Sequence, residues 1–222
     1  NWREGAKRFG SPKDIEGYYA AITCLDSEIG RLLARLRELD LEKDTIVYFF
    51  SDHGDMLGSQ GTFLKRKPWE ESAVVPSIFR WPGHIPSGRR SDALFSHIDA
   101  VPTLLGFCGV EKPASMPGQD LSGYLLGRDA KAPDEAHLMI YTATEMDEWA
   151  PWRGLRTRQW KYARHEDRPW VLYDLEKDPY ERNNLAAERS SRTLIAEFDR
   201  RIALRMAETD DEWTQRYDRP FR

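Results

Sequence analysis

The 222-residue sequence has only two cysteines, Cys24 and Cys108. Two are too few for a disulfide scaffold or a cysteine-based zinc site. Both fall among the apolar positions of predicted helices, which implies buried small hydrophobes. No apolar stretch approaches the roughly 20 residues of a membrane span, so no membrane-spanning helix is expected. There is no Asn-x-Ser/Thr acceptor for glycosylation. Lysine and arginine number 33 against 37 acids, a net charge of −4 with both signs interspersed. No basic field is present to hold nucleic acid, which excludes that class of partner. The sequence opens at Asn1 without a charged n-region or an apolar h-region, so it displays no targeting signal.

What is present is the material of a folded chain: 40% of its residues are hydrophobic and 12% are aromatic. Ser11-Pro12-Lys13-Asp14 offers a helix start, with proline at the first helical position. Ile15, Tyr18, Tyr19, Ile22, Leu25, Ile29, Leu32, Leu33, Leu36 and Leu39 follow at three- and four-residue spacing, which predicts a long amphipathic helix. Ile46-Val47-Tyr48-Phe49-Phe50 is β-branched and aromatic, and suits a strand buried on both faces of a parallel sheet. Ser77–Trp81 reads as a second strand and Ala93–Ser96 as a third, short one. Asp99 is expected to cap a helix ending at Gly109, and a short helix is expected near Leu121–Leu126. The polar segment Gly127–Glu135, with Pro133, is the best domain boundary, giving domains 1–133 and 134–222. Beyond it, runs at 137–144, 153–157, 161–165 and 171–173 suit a small antiparallel sheet, followed by a helix over about 191–207.

Chemistry concentrates between Ile46 and Pro76. The apolar strand stops at Ser51-Asp52-His53-Gly54, where ligands bind in open α/β sheets. A carboxylate and a neutral imidazole suit a divalent cation, although an isolated Asp-His-Gly reads more readily as a capped turn with the imidazole bonded to backbone. Asp55 reads as a loop acid. Lys65-Arg66-Lys67 is a basic triplet whose ordinary reading is a solvated turn. Glu70 and Glu71 read as acids starting a helix. His97 with Asp99 forms a second acid–imidazole pair, better explained by capping. Arg153, Arg156 and Arg158, near Trp149 and Trp152, either line an anion-selecting rim or alternate outward along a strand.

The stretch SDHGDMLGSQGTFLKRKPWEESAVVPSIFRWPG resembles the second signature region of type I sulfatases, in the alkaline-phosphatase superfamily. Tyr18-Tyr19 through Leu25-Asp26 to Leu39, Ile98-Asp99 with Pro102–Leu105, and Trp160-Lys161-Tyr162 through Leu172–Leu175 to Asn184-Leu185 extend the likeness. The resemblance implies an α/β fold: the C-terminal part of an α/β sandwich, mostly parallel sheet flanked by helices. A small antiparallel subdomain with a packed helix would complete it. It implies that Asp52 and His53 are metal ligands, to Ca²⁺ or to Mg²⁺ or Mn²⁺ in some relatives, with further acids from outside this chain. The sulfate-contacting lysine of the family stands four residues before the aromatic of aromatic-Glu-Glu-Ser, which selects Lys65 before Trp69 as the catalytic lysine. Gln60 stands where many relatives have histidine, and an amide positions rather than transfers protons.

Cys-x-Pro-x-Arg or Ser-x-Pro-x-Arg, whose first residue becomes the formylglycine nucleophile in such sulfatases, is absent: Cys24 is followed by Leu-Asp-Ser and Cys108 by Gly-Val-Glu. The expectation is therefore the C-terminal portion of a longer, metal-dependent sulfuric-ester hydrolase acting on a sulfated small molecule or glycan. Formylglycine is expected in the missing portion, and the fragment alone is expected to be inactive. Two alternatives stay open: a phosphodiester or phosphonate monoester hydrolase of the same superfamily, and a non-catalytic relative binding anionic glycans. The compartment is unreadable, with a bacterial periplasm or cytoplasm both compatible.

Overall fold

The computed structural model describes residues 12–128, 131–141 and 151–213. The chain divides into two compact units, residues 1–90 with 122–130, and residues 91–121 with 131–222.

In the first unit, α1 runs over Pro12–Glu38, as the apolar spacing predicts. Basic Arg35 and Arg37 in its last turn and Asp14 in its first both complement the helix dipole. None of its residues is buried, and Tyr18, Tyr19, Ile22, Leu25 and Leu32 are exposed. The expectation of buried cysteines fails here. Cys24 is exposed on this uncovered helix, and Cys108 is exposed at the C-terminal cap of α3 (Ala100–Phe107).

Strand β1 (Val47–Phe50) pairs with β2 (Ser77–Arg80) in antiparallel register, Val47 opposite Arg80 and Phe50 opposite Ser77. The burial expected of this run is not reached, because β2 is its only strand neighbour among the described residues. Val47, Tyr48 and Phe49 are half-buried and Phe50 is exposed. Tyr48 stacks on Phe79, its cross-strand partner, at 4.1 Å between ring centroids. The short α2 (Glu70–Ala73) and α4 (Ser122–Leu125) complete this unit, with Glu70 and Glu71 in the first turn of α2 as expected.

In the second unit, Ala93–Ser96 forms no strand. Ser96 instead caps a 3₁₀ turn, His97–Asp99, that runs into α3. Asp99 is thus the third residue of a capping box and not the cap itself. Strands β3 (Glu135–Ile140), β4 (Trp152–Thr157), β5 (Trp160–Arg164) and β6 (Pro169–Asp174) make a four-stranded antiparallel sheet in sequence order. Helix α5 (Arg192–Glu208) lays Ile195, Phe198 and Ile202 against Leu155, Tyr162 and Leu172 of the sheet, forming the core. The mixed α/β architecture with a small antiparallel subdomain and packed helix agrees with the fold expected from the sequence.

Candidate functional site

The loop between β1 and β2 is anchored by its own small core. Met56 is fully buried, and Lys67, Pro68, Trp69 and Ser72 are buried around the start of α2. Met56 N–H donates to Leu64 O at 2.8 Å, closing the intervening Gly58–Gly61 turn into a compact excursion. Leu57, Gln60, Leu64 and Arg66 all take left-handed φ, at 44°, 53°, 65° and 71°. Such residues cost of order 1 kcal/mol each and persist where surrounding contacts impose them. Lys65 sits between the last two, and this kinked backbone separates its fate from that of Lys67.

Lys65 Nζ reaches to 2.7 Å from His53 Nε2, across twelve residues of chain. Asp52 Oδ2 lies 3.1 Å from the same nitrogen. His53 N–H donates to Asp52 Oδ1 at 3.0 Å, and Ser51 Oγ donates to His53 O at 2.9 Å, which fixes the turn. The Asp52 side chain is open to solvent, 80% exposed. Desolvation pushes the carboxyl pKa up. The His53 charge, backbone N–H donation from His53 and from Asp52 itself, and the Lys65 charge outweigh that and hold it below the usual carboxylate range. Asp52, His53 and Lys65 therefore converge, while Lys67 is buried, with only 6% of its surface exposed.

The donor set fits a hard or borderline divalent cation. A carboxylate oxygen and an imidazole nitrogen 3.1 Å apart match two neighbouring ligands on one ion, roughly 3.0–3.4 Å apart for metal–donor distances of about 2.1–2.4 Å. Among the described residues, no group of three or more His, Cys, Asp or Glu could hold a metal. Two donors alone fall short of the six to eight a calcium ion takes.

The other sequence candidates lie elsewhere. Asp55 Oδ1 accepts from Leu57 N–H at 3.0 Å, a turn contact, and Gln60 sits in the Ser59–Gly61 turn. The buried Asp99 carboxylate accepts from Ser96 N–H at 2.9 Å and from Gln119 N–H at 2.8 Å, which makes it structural. Arg153 does not line a rim: it is buried and forks onto Asp211, with Nη2 2.6 Å from Oδ1. Arg156 donates to the carbonyls of Thr157 and Arg158. Trp149 lies outside the described residues.

One residue that chemical reasoning on the sequence passed over is Gly54. Its N–H donates to Ser72 O at 2.9 Å, and its carbonyl lies 2.8 Å from His53 Nδ1. Its place directly after an Asp-His pair was the available signal.

Comparison with known proteins gives the relatives. The family model described as N-sulphoglucosamine sulphohydrolase, C-terminal, matches residues 58–208, and the model described as Sulfatase matches residues 2–110. An ulvan-active sulfatase of Formosa agariphila is 36% identical over 211 residues, covering 93% of this chain and 41% of that protein. A solved structure described as in complex with its substrate D-glucosamine-2-N,6-O-disulfate superposes with a TM-score of 0.82 at 29% identity, covering 90% of this chain and 41% of the other. Phosphonate monoester hydrolase of Agrobacterium radiobacter gives a TM-score of 0.79 at 25% identity, over 90% of this chain and 43% of the other. The chain belongs to the sulfatase family of the alkaline-phosphatase superfamily. It spans 41% of the length of the ulvan-active relative and of the disulfate-bound structure.

Proposed function

We propose that the whole protein is a metal-dependent, formylglycine-type sulfuric-ester hydrolase, and that these residues form half of its active site. The observation that carries the reading is the convergence of Asp52 Oδ2 and Lys65 Nζ on His53 Nε2, at 3.1 and 2.7 Å. Asp52 and His53 would hold a divalent cation, Ca²⁺ by preference, with Mg²⁺ or Mn²⁺ as variants. When bound, such an ion polarises ester oxygens as a Lewis acid. Lys65 is exposed, donates only, and carries a compact charge beside that site. It would neutralise the sulfuryl oxygens as charge builds on them during S–O cleavage. Glu70 and Glu71 stay structural, and the buried Lys67 secures the loop. The nucleophile and further cation ligands would come from polypeptide outside these 222 residues.

The substrate class is a sulfated glycan or small molecule. The ulvan-active name and the disulfated glucosamine of one neighbour support it. A second reading, phosphonate monoester hydrolysis, is favoured by the likeness to the Agrobacterium enzyme. The two are separated by assaying the full-length protein on a sulfated glycan, an aryl sulfate and an aryl phosphonate. Sulfate release well above phosphonate release is the expected result. Phosphonate turnover exceeding sulfate turnover would instead establish the second reading, and turnover of neither would leave a glycan-binding relative.

A further inference from the structure

We propose that Leu64, with Leu57 beside it on the same loop, is a specificity-determining residue: the two leucines form an apolar lip that takes the C–H face of the sugar ring carrying the ester. This rests on the reading of Asp52, His53 and Lys65 as half of an active site.

Leucine is a poor choice at position 64 on two independent grounds. Its φ of 65° is left-handed, where an L side chain crowds the following carbonyl and glycine or asparagine is preferred. Its side chain is also 62% exposed, so little burial offsets that strain. Leu57 repeats both features, with φ of 44° and 40% exposure. The packing of the loop falls instead to Met56, which is fully buried. A single exposed leucine is ordinary on a protein surface. Two of them on strained backbone are not explained by the fold, and strain of this kind clusters at ligand clamps and active sites.

The backbone ties both leucines to the charged site. Met56 N–H donates to Leu64 O at 2.8 Å and Gly58 N–H to Thr62 O at 3.0 Å. The segments flanking the turn therefore run side by side, with Leu57 between those two bonds. Asp55 Oδ1 holds Leu57 further, accepting from its N–H at 3.0 Å. Leu64 directly precedes Lys65, whose Nζ lies 2.7 Å from His53 Nε2. Lys65 and Asp52 are both open to solvent. An ester whose anionic head meets Lys65 leaves its carbon ring outside the charged cluster, and Leu64 is the adjoining apolar surface. Such a surface suits ring C–H groups and would strand a second charged group without a partner.

The test uses the full-length protein with Ca²⁺ and two sulfonates, methanesulfonate and cyclohexanesulfonate. Neither is an ester, so binding is read without turnover, and they differ only in the apolar ring. Dissociation constants come from nuclear magnetic resonance titration. The wild type should bind cyclohexanesulfonate about tenfold more tightly, a fraction of what full burial of a leucine is worth. Lys65→Met should weaken both anions alike. Leu64→Asn suits left-handed backbone but lacks the apolar surface. It should weaken cyclohexanesulfonate about fivefold to tenfold, with methanesulfonate binding and the melting temperature unchanged. Leu57→Asn should act in the same direction by a smaller factor, and Leu64→Met should bind as the wild type does. Equal affinity of the wild type for the two sulfonates overturns the lip even if no variant folds. An unchanged ratio in Leu64→Asn also overturns it, and a lower melting temperature there would assign the leucines to packing against polypeptide outside these residues. Methanesulfonate bound through Lys65 without any ring preference refutes the lip alone. A wild type that binds neither anion refutes the half-site, and the lip with it.

Discussion

Lys65 Nζ stands 2.7 Å from His53 Nε2, while Lys67, two residues on and of the same charge, is buried beside Trp69. Composition does not separate these two lysines; the backbone does, through left-handed turns at Leu64 and Arg66. Of the two, Lys65 is the one beside the Asp52–His53 pair, where the proposed function would put a sulfuryl group.

In the full-length enzyme, Lys65→Ala should therefore lower kcat/KM about a hundredfold, equivalent to ~3 kcal/mol of lost transition-state stabilisation. Lys67→Ala should change kcat/KM only a few-fold, its cost appearing as a lower melting temperature of the loop region. Steady-state kinetics with both variants checked for folding decide this, and the reverse ranking would place the loop in the wrong register.

The second unit carries a buried ion pair, Lys161 Nζ to Glu181 Oε1 at 3.1 Å, with side chains 0% and 1% exposed. Replacing one partner strands the other charge away from water. Lys161→Met should destabilise the protein by about 3–5 kcal/mol in urea unfolding, and Lys161→Met with Glu181→Gln should recover part of that loss. A double variant no more stable than the single one would show that the pair does not act as a unit.

Acid should weaken the same unit through Glu135. Desolvation pushes this carboxyl up, but hydrogen bonds from Arg201 and His137, and their charges, outweigh it and hold the pKa below the ordinary value. A carboxyl depressed on folding stabilises above its unfolded pKa, and that contribution is lost as pH falls through the folded one. Melting temperatures followed downward from about pH 6 should fall below roughly pH 4.5 in the wild type, and part of this slope should vanish in Glu135→Gln. Parallel pH profiles for the two proteins would contradict the assignment.

Much of this was legible in the sequence because its signals are local. The apolar spacing from Ile15 to Leu39 placed α1, turn residues between short β-rich runs placed β4 to β6, and the strand stop at Asp52-His53 marked the candidate site. What was illegible depends on partners distant in sequence. Arg153 is drawn into the interior by Asp211, 58 residues away, and nothing near Arg153 announces it. The apolar run Ile46–Phe50 suited a parallel strand covered on both faces, whereas β1 pairs antiparallel with β2 across a loop whose fold is set by its own buried residues, and its faces stay half-open. Asp99 was rightly read as a capping residue, but Ser96 supplies the cap and Asp99 the reciprocal acid, a difference of three residues.

The most direct test of the assignment is the metal content and turnover of full-length Asp52→Ala, measured together. Elemental analysis of the purified wild type should find about one divalent cation per chain at this site, and the variant should lose it along with sulfate-ester turnover. An Asp52→Ala protein that keeps both its cation and its activity would contradict the assignment of Asp52 and His53 as the cation-holding half of a sulfatase active site.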